Sequence, residues 1–468
     1  MSSRLRFLVL IAISAVLLCI SLLVSPVWYD DAGHYLVAKQ AMETGTPCYP
    51  VNPDRCDAQS PFITMGPALT WPAVAWMKAW GSEMAVLRFG MVLLSLAALL
   101  AFLLMGKSVL GDDVKLFFAG LGLIGNIQWT TYGAEFLGEV PMLGWLFLGT
   151  WAFLMSLDGK QSGYALLASI CWMASVLTKE YALSFIGFGL ILFGSLGLLK
   201  RDKVMVMASL VAGVSLLLMY VLWSWFRAGT WSQAWDFFQN RGSYSSEFLA
   251  WNLAESFRFL LFKPFVVFGT LALVLKVWVK RNPKDLFVFT LQASLLVFFL
   301  ASAGYDRFGF LLVPMATLYL AEFWVMLFRR WANRSRVRQL LVWAVFLLAG
   351  WQQTIWRLPL ALMDGVETNV AEKEVARRVK ELGCQSVHTY DQQLVPFLPK
   401  DFSVHLSSVV PSHAGACARL LLQPGDLYLE GEYGRTLYSH CVDLHTLHRV
   451  GTISMGGEEY RIWRNLSP

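Results

Sequence analysis

Carboxylate and cationic side chains recur beside long apolar segments of this sequence, where an ionised group is costly to place. The four places are Asp30 and Asp31, Glu135 and Glu139, Lys179 and Glu180, and Asp306 and Arg307. Carboxylates near cations suit the transfer of a group from a phosphate leaving group to a hydroxyl. One carboxylate would accept the hydroxyl proton, and a lysine or arginine would neutralise the charge that grows on the departing phosphate.

Each place also has a structural interpretation that involves no chemistry. The two aspartates suit the solvated start of a loop, and the two glutamates suit the N-terminus of a helix, where negative charge is stabilising. The lysine and its neighbouring glutamate suit an interfacial ion pair, and Arg307 suits a cation that extends along apolar surface to reach the headgroups. No single place decides the function.

The apolar segments predict a polytopic α-helical membrane protein. Hydrophobic residues make up 56% of the 468 residues and charged residues 15%, compared with roughly 45–50% and about 25% in soluble domains. A bilayer core needs roughly 20 apolar residues per helix, which predicts about eleven transmembrane helices. They cover residues 7–27, 85–106, 114–131, 140–156, 163–178, 181–199, 204–226, 257–279, 286–303, 308–328 and 338–357. The first lacks a small-residue cleavage site and is long enough to span, so we expect an uncleaved helix.

The basic residues predict the orientation of these helices. A net charge of +6 could indicate a nucleic-acid partner, but the Lys and Arg residues form short clusters between apolar segments, which the positive-inside rule explains better. The clusters are Lys107 and Lys115; Lys160; Lys200, Arg201 and Lys203; Lys276, Lys280, Arg281 and Lys284; and Arg329, Arg330, Arg334, Arg336 and Arg338. With a cytoplasmic N-terminus all of them face the cytoplasm. The four charged places then lie on the external side at one level, where a cavity would hold both carboxylates and cations.

The same topology predicts two long external loops and a C-terminal domain. We expect a transmembrane catalytic domain at 1–357, with external loops at 28–84 and 227–256, and a small extracytoplasmic α/β domain at 358–468. Within the first loop, His34 to Glu43 and Ala68 to Trp80 are typical of short helices, the second suited to the membrane interface. In the C-terminal domain the pattern predicts a helix at 366–382 and strands at 386–390, 402–406, 426–429 and 460–463.

Cysteines and histidines are concentrated on the predicted external side. Cys48 and Cys56 are close in one loop and are predicted to form a disulfide, whereas Cys384, Cys417 and Cys441 allow at most one more internal bond. Six of the seven histidines lie in the C-terminal domain without metal-ligand spacing, so we interpret them as surface residues. No metal site or cofactor is identified, and the use of a divalent metal stays open.

The order of the charged places is also that of a known group of enzymes. The segments concerned are Asp30-Asp31-Ala32-Gly33-His34-Tyr35 with Met42 and Gly45; Pro61, Gly66-Pro67 and Leu87-Arg88; Gly133 to Pro141; Leu177-Thr178-Lys179-Glu180; and Asp306-Arg307-Phe308 with Pro314. Together they resemble the GT-C superfamily of membrane glycosyltransferases, especially protein O-mannosyltransferases and lipid A aminoarabinose transferases. Two positions depart from that pattern, because an Asp-Asp pair replaces Asp-Glu and Glu180 replaces a glycine.

The resemblance implies an inverting glycosyltransferase of the inner (plasma) membrane that takes a sugar from a polyprenyl-phosphate-linked donor. The acceptor would be a hydroxyl of a glycolipid such as lipopolysaccharide, of another cell-envelope glycan or of a protein. Asp30 or Asp31 would be the general base, and Lys179 and Arg307 would bind the donor phosphate. The other substrate-binding residues implied are His34, Tyr35, Arg88, Glu135, Glu139, Glu180, Tyr305 and Asp306. The sequence has no Gly-rich nucleotide-binding loop, which agrees with a lipid-linked donor.

Two other classes of protein fit parts of the pattern. A secondary transporter or lipid flippase would place ionisable groups near the bilayer midplane and often shows paired repeats. The sequence shows no internal repeat, and its charged places fall at one predicted face, which favours the transferase. A structural scaffold that presents the external domain is the third alternative.

Overall fold

The computed structural model of this protein describes residues 2–52, 55–57, 66–158, 162–228, 256–260, 263–301, 306–331, 335–384, 386–398, 402–406, 422–436, 442–455 and 458–466. It shows an α-helical membrane protein with a small sheet domain. The helices before the sheet are α1 (Ser3–Val24), α2 (Tyr29–Thr44), α3 (Pro67–Trp80), α4 (Met84–Leu110), α5 (Asp113–Ile124), α6 (Ile127–Ala134), α7 (Glu139–Ser156), α8 (Ser162–Thr178), α9 (Ala182–Lys200), α10 (Lys203–Ala228), α11 (Pro264–Lys280), α12 (Pro283–Ala301), α13 (Asp306–Phe310), α14 (Val313–Trp331) and α15 (Arg336–Glu381).

The predicted apolar segments fall on these helices. The third, 114–131, is divided between α5 and α6, where the side-chain oxygen of Asn126 accepts the backbone N–H of Gln128 at 2.9 Å. A Cβ at Gly125 would lie 2.2 Å from Nε1 of Trp351, so close packing also requires the glycine at this break. Within the described residues, five helices are long and apolar enough to cross a membrane, or six if α6 and α7, bent by 107°, count as one span. The number of eleven spans stays a prediction.

The chain forms two compact units. The helical unit comprises Met1–Leu17, Leu93–Gly133 and Glu139–Trp356, and the loop-sheet unit comprises Leu18–Val92, Ala134–Gly138 and Arg357–Pro468. The predicted boundary at 357 falls inside α15, and the loop after α1 belongs to the same unit as the C-terminal residues. The division into a transmembrane and an external domain by chain position stays a prediction.

Aromatic rings form the centre of the helical unit. Phe153 of α7 packs on Phe287 of α12 with ring centroids 4.3 Å apart and on Trp172 of α8 at 5.4 Å. A Cβ at Gly149 would lie 2.3 Å from the Trp172 indole, so this glycine allows α7 and α8 to approach closely. The packing thereby fixes two helices whose ends carry predicted site residues.

The loop-sheet unit contains a hairpin and a five-stranded mixed sheet. The strands are β1 (Tyr49–Asn52) and β2 (Arg55–Asp57) of the hairpin, and β3 (Ser386–Thr389), β4 (Ser403–Leu406), β5 (Leu427–Glu430), β6 (Leu447–Met455) and β7 (Glu458–Asn465), with α16 (Glu432–Thr436) after β5. The sheet order is β4-β3-β5-β7-β6, with β3 parallel to β4 and β5, and β7 antiparallel to β5 and β6. Buried Val375 and Val379 of α15 pack on Val387, Leu427 and Ile462 of the strands.

The predicted elements of the C-terminal region agree with the structure except for β6. The helix at 366–382 is the last part of α15, and the four predicted strands are β3, β4, β5 and β7. The pattern did not indicate β6, because polar residues and Gly451 interrupt its apolar alternation and its ladder with β7 has a register shift between Arg449 and Gly451. The hairpin β1–β2 was also not predicted.

His388 differs from the predicted surface histidines. It is buried in β3, with Nε2 2.9 Å from Oδ2 of Asp426 and its ring parallel to that of His405 in β4, centroids 4.4 Å apart. Burial lowers the pKa of His388, His405 lowers it further, and Asp426 acts in the opposite direction. The interpretation as a surface residue is wrong here, because the β3–β4 register places His388 and His405 side by side.

Candidate active site

Asp31, in the first turn of α2, is a fully buried carboxylate with several donors. Its Oδ2 accepts from Nε of Arg88 at 3.1 Å and pairs with the same guanidinium, while Oδ1 accepts the backbone N–H of Phe136 at 2.8 Å. Arg88 is buried in α4 and also donates to the carbonyls of Ser25 and Pro26, at 2.7 and 2.6 Å. The Asp31–Arg88 pair therefore holds the start of α2 in a defined position.

Asp30 has a different environment from its neighbour Asp31. It is half-buried, whereas Asp31 is fully buried. Successive residues of a helix point about 100° apart, so the turn that directs Asp31 towards Arg88 directs Asp30 to another face of α2. Asp30 is thus the member of the pair that keeps partial access to solvent.

Glu135 lies in the segment Ala134–Gly138, between α6 and α7. It is buried, and its Oε1 accepts the indole N–H of Trp28 at 2.8 Å. Gly138 has φ +89°, in the left-handed region that favours glycine, and this conformation accompanies the 107° bend between α6 and α7. The tight turn brings Glu135 to the residue that precedes α2.

His34 and Tyr35 of α2 are buried and donate to backbone carbonyls. Nδ1 of His34 donates to the carbonyl of Phe136 at 3.1 Å, and the Tyr35 hydroxyl donates to the carbonyl of Ser82 at 3.0 Å. Burial raises the pKa of Tyr35 far above its usual value, and two nearby glutamates raise it further. The hydroxyl therefore stays protonated. Both contacts orient α2 within the loop-sheet unit.

The hairpin that follows α2 is attached to the C-terminal sheet region. The hydroxyl of Tyr49 donates to Oε1 of Gln392, and both side chains are buried although they are 343 positions apart in the chain. The 3-10 turn Gln392–Phe397 also contacts α2 directly. The C-terminal region therefore supports the helix that carries Asp30 and Asp31.

In the helical unit, Lys179 follows α8 and forms a buried ion pair. Its Nζ lies 3.6 Å from Oε1 of Glu139, the first residue of α7, and the two side chains are 6% and 1% exposed. This separation exceeds the roughly 2.7–2.9 Å of a direct charge-assisted hydrogen bond. Coulomb attraction inside a low-dielectric region therefore holds the pair, with Glu180 half-buried beside it.

Arg307 lies in α13 among aromatic rings of the helical unit. Its Cζ is 5.3 Å from the ring centroid of Phe308, in a cation–π arrangement. The Phe308 ring packs edge-on against Tyr181 at 5.5 Å, and Tyr181 stacks on Phe298 at 5.3 Å. Tyr181 was missed by the sequence analysis, although it directly follows the Lys179-Glu180 motif.

A second buried cation of the helical unit, Lys263, was also not predicted. Its Nζ donates to Oε1 of Gln128 at 3.3 Å and lies 5.5 Å from the ring centroid of Phe259. Lys263 and Gln128 are both buried. The available signal in the sequence was a lysine directly before Pro264, the residue that opens α11.

Several predicted positions lie outside the described residues. They are 58–65, 229–255, Lys160, Tyr305, Arg334, Cys417 and Cys441, together with the side chains of Cys56 and Asp306. Cys48 is disulfide-bonded and Cys384 is a free thiol, while the pairing of Cys48 with Cys56 stays a prediction. Among the described residues, no three His, Cys, Asp or Glu side chains come together as a metal site.

The fold is similar to that of two solved proteins, an ArnT and an archaeal oligosaccharyltransferase. ArnT from Cupriavidus metallidurans bound to undecaprenyl phosphate matches with a TM-score of 0.62 at 14% identity, over 97% of both chains. The oligosaccharyltransferase of Archaeoglobus fulgidus matches with a TM-score of 0.57 at 12% identity, over 87% of this chain and 65% of that one. No protein-family model matches the sequence, and no curated protein matches it in sequence. At these identities the likeness shows the fold alone, and it confirms the predicted class of a helical membrane protein with a small sheet domain, without the number of spans.

Proposed function

We propose that this protein is an inverting glycosyltransferase of the inner (plasma) membrane that uses a polyprenyl-phosphate-linked sugar as donor. The acceptor is a hydroxyl of a glycolipid, a cell-envelope glycan or a protein. The observation that carries the proposal is a buried, hydrogen-bonded Asp31 beside a partly exposed Asp30 on α2, in a chain whose fold matches ArnT over nearly its whole length. The solved ArnT holds undecaprenyl phosphate, which supports a lipid phosphate as the leaving group.

Asp30 is the general base in this proposal, and Asp31 positions it. Asp31 is enclosed by Arg88 and by the Phe136 amide, so it has no free face for an acceptor hydroxyl. Asp30 keeps partial solvent access on the same rigid turn. It takes the proton of the acceptor hydroxyl while the oxygen attacks C1 of the sugar, and the bond from C1 to the phosphate oxygen breaks with its electrons on the polyprenyl phosphate.

Lys179 and Arg307 bind the donor phosphate and stabilise the charge that develops on it. Lys179 lies 3.6 Å from a carboxylate and Arg307 lies 5.3 Å from an aromatic ring centroid, and the positive charge of each suits an anionic phosphate. Lys263, buried against Gln128, is a further candidate for the same role. The proposal also includes the predicted substrate-binding residues His34, Tyr35, Arg88, Glu135, Glu139, Glu180, Tyr305 and Asp306.

The decisive experiment incubates the purified full-length protein with a panel of polyprenyl-phosphate sugars and membrane lipids or peptides. Mass-shifted acceptors and release of polyprenyl phosphate identify transfer. Asp30→Asn should lower the single-turnover rate by about 10²–10⁴-fold, the range for loss of a general base. Glu43→Gln, an exposed carboxylate change on the same helix, is the matched control and should retain the wild-type rate.

Two outcomes contradict the proposal. If the Asp30→Asn variant has the wild-type rate at matched expression, Asp30 is not the general base. Movement of the lipid-linked sugar across proteoliposomes, without any covalent product for any acceptor in the panel, would instead indicate a transporter or flippase.

A further inference from the structure

A cavity of about 720 Å³ lies between α5, α11 and α14 of the helical unit, among residues without a part in the proposed transfer. One wall consists of apolar side chains, including Leu275, Phe323 and Met326. These three are 65%, 46% and 54% exposed, and they continue into the apolar outer surface of α11. In a membrane protein such exposed apolar side chains face lipid, so the wall is suited to an acyl chain.

The polar lining residues Lys115, Tyr319 and Glu322 belong to a compact ionic network. Nζ of Lys115 lies 2.6 Å from Glu322, and Nζ of Lys276 lies 3.0 Å from both Glu322 and Asp285. The Tyr319 hydroxyl donates to Asp285 at 3.0 Å, and Lys276 lies 4.9 Å from the centroid of its ring. Two lysines thus balance two carboxylates at the base of the cavity.

The rim carries two arginines at the C-terminal end of α14. Arg329 lies 2.8 Å from Asp112, in a pair whose arginine side chain is 57% exposed, and such exposed pairs contribute little. Arg330 is exposed, lines the same cavity and has no carboxylate partner among the described residues. The cations of the network and rim therefore exceed the carboxylates by one positive charge.

We propose that this cavity binds an anionic glycerophospholipid through its phosphodiester. Arg329 and Arg330 hold the phosphate, Arg329 exchanging its weak pair with Asp112 for a bidentate contact. One acyl chain lies along Leu275, Phe323 and Met326. A single excess positive charge matches the single negative charge of a phosphatidylglycerol headgroup, and a basic pocket between helices with an apolar wall is the kind of site that binds such lipids. Under the predicted topology, the site faces the cytoplasmic leaflet.

The test counts bound lipid by native mass spectrometry on the full-length protein, titrated with phosphatidylglycerol and, separately, with phosphatidylcholine. The apparent Kd for phosphatidylglycerol should rise about tenfold or more in the double variant Arg329→Gln/Arg330→Gln. Lys200→Gln/Arg201→Gln is the control, because it removes two exposed charges at another helix end that does not line the cavity. The control should bind phosphatidylglycerol as the wild type does. Phosphatidylcholine binding should be weak and equal in all three.

Glycerophosphoglycerol and undecaprenyl phosphate complete the experiment. The water-soluble headgroup should not displace phosphatidylglycerol at equal concentration, because it lacks the chains that bury apolar surface. Unchanged phosphatidylglycerol binding in the rim variant, or equal weakening in the control, overturns the proposal. Tighter binding of undecaprenyl phosphate than of phosphatidylglycerol, lost in the same rim variant, assigns the cavity to a carrier lipid and overturns the glycerophospholipid assignment.

Discussion

The carboxylate cluster of the loop-sheet unit, Asp30 and Asp31 with Arg88, and the cation cluster of the helical unit, Lys179 and Arg307, are held in different ways. Asp31 has a guanidinium on one oxygen and a backbone amide on the other, both at hydrogen-bonding distance. Lys179 stands 3.6 Å from its carboxylate, and Arg307 lies against a phenylalanine ring. The first cluster is held by direct hydrogen bonds to Arg88 and to the Phe136 amide, whereas the second has a wider ion pair and a cation–π contact.

This difference matches what each cluster is proposed to do. A general base must already be placed when the acceptor arrives, since a shift of about 1 Å can cost two orders of magnitude in rate. A cation that receives a phosphate must exchange one partner for another, so a loose initial contact is an advantage. Substitutions in the two clusters should therefore separate stability from donor binding.

The largest expected effect is on the stability of the loop-sheet unit. Arg88→Met leaves Asp31 buried without its guanidinium, and breaking a buried pair in this way costs about 3–5 kcal/mol. Asp31→Asn should have a similar effect, while Lys179→Met should lower the free energy of unfolding by less, because its ion pair is longer. Denaturant unfolding of the purified variants measures all three. If Arg88→Met and Lys179→Met lower the free energy of unfolding equally, the two clusters are not held differently.

Substitutions in the cation cluster should have the larger effect when donor binding, rather than the free energy of unfolding, is measured. Lys179→Met and Arg307→Lys should each weaken binding of a polyprenyl-phosphate sugar by about tenfold or more. The first variant loses a positive charge, and the second loses the planar guanidinium that can bind a phosphate through two hydrogen bonds. Glu43→Gln serves again as control. Donor affinity that is unchanged in both variants, measured by titration calorimetry, would contradict the phosphate role.

The smallest expected effect is a pH dependence confined to the loop-sheet unit. Because the pKa of His388 is lowered in the folded state, the unfolded chain takes up a proton below about pH 6.5 that the folded sheet resists. Stability should therefore fall as pH falls below 6.5, by no more than about 1.4 kcal/mol per pH unit for one group. Hydrogen exchange of β3 between pH 7.5 and 5.5 measures this. His388→Gln should flatten the dependence, and the exposed His445→Gln should not.

Much of the architecture was predictable because bilayer and sheet impose local patterns. Apolar runs of about 20 residues mark helices whatever their neighbours are, and the ends of α4, α8 and α9 lie within a few residues of the predicted ones. The C-terminal strands were visible as short apolar alternations. The strand β6 was not visible, since polar residues and Gly451 interrupt its apolar alternation where its pairing with β7 shifts register. The exact break between α5 and α6 was not visible either, since Gly125 there packs against Trp351, a residue distant in the chain.

The sequence by itself determined the kind of protein and the charged places worth examining, because composition, helix length and motif order are local properties. It left Asp30 and Asp31 equivalent. Only tertiary structure separated them, by bringing Arg88 and the amide of Phe136, 57 and 105 positions away, to one aspartate and leaving the other partly exposed. It likewise placed Lys263 on Gln128, 135 positions apart. Side chains so distant in sequence become partners through the packing of whole helices, which the residue types alone do not specify.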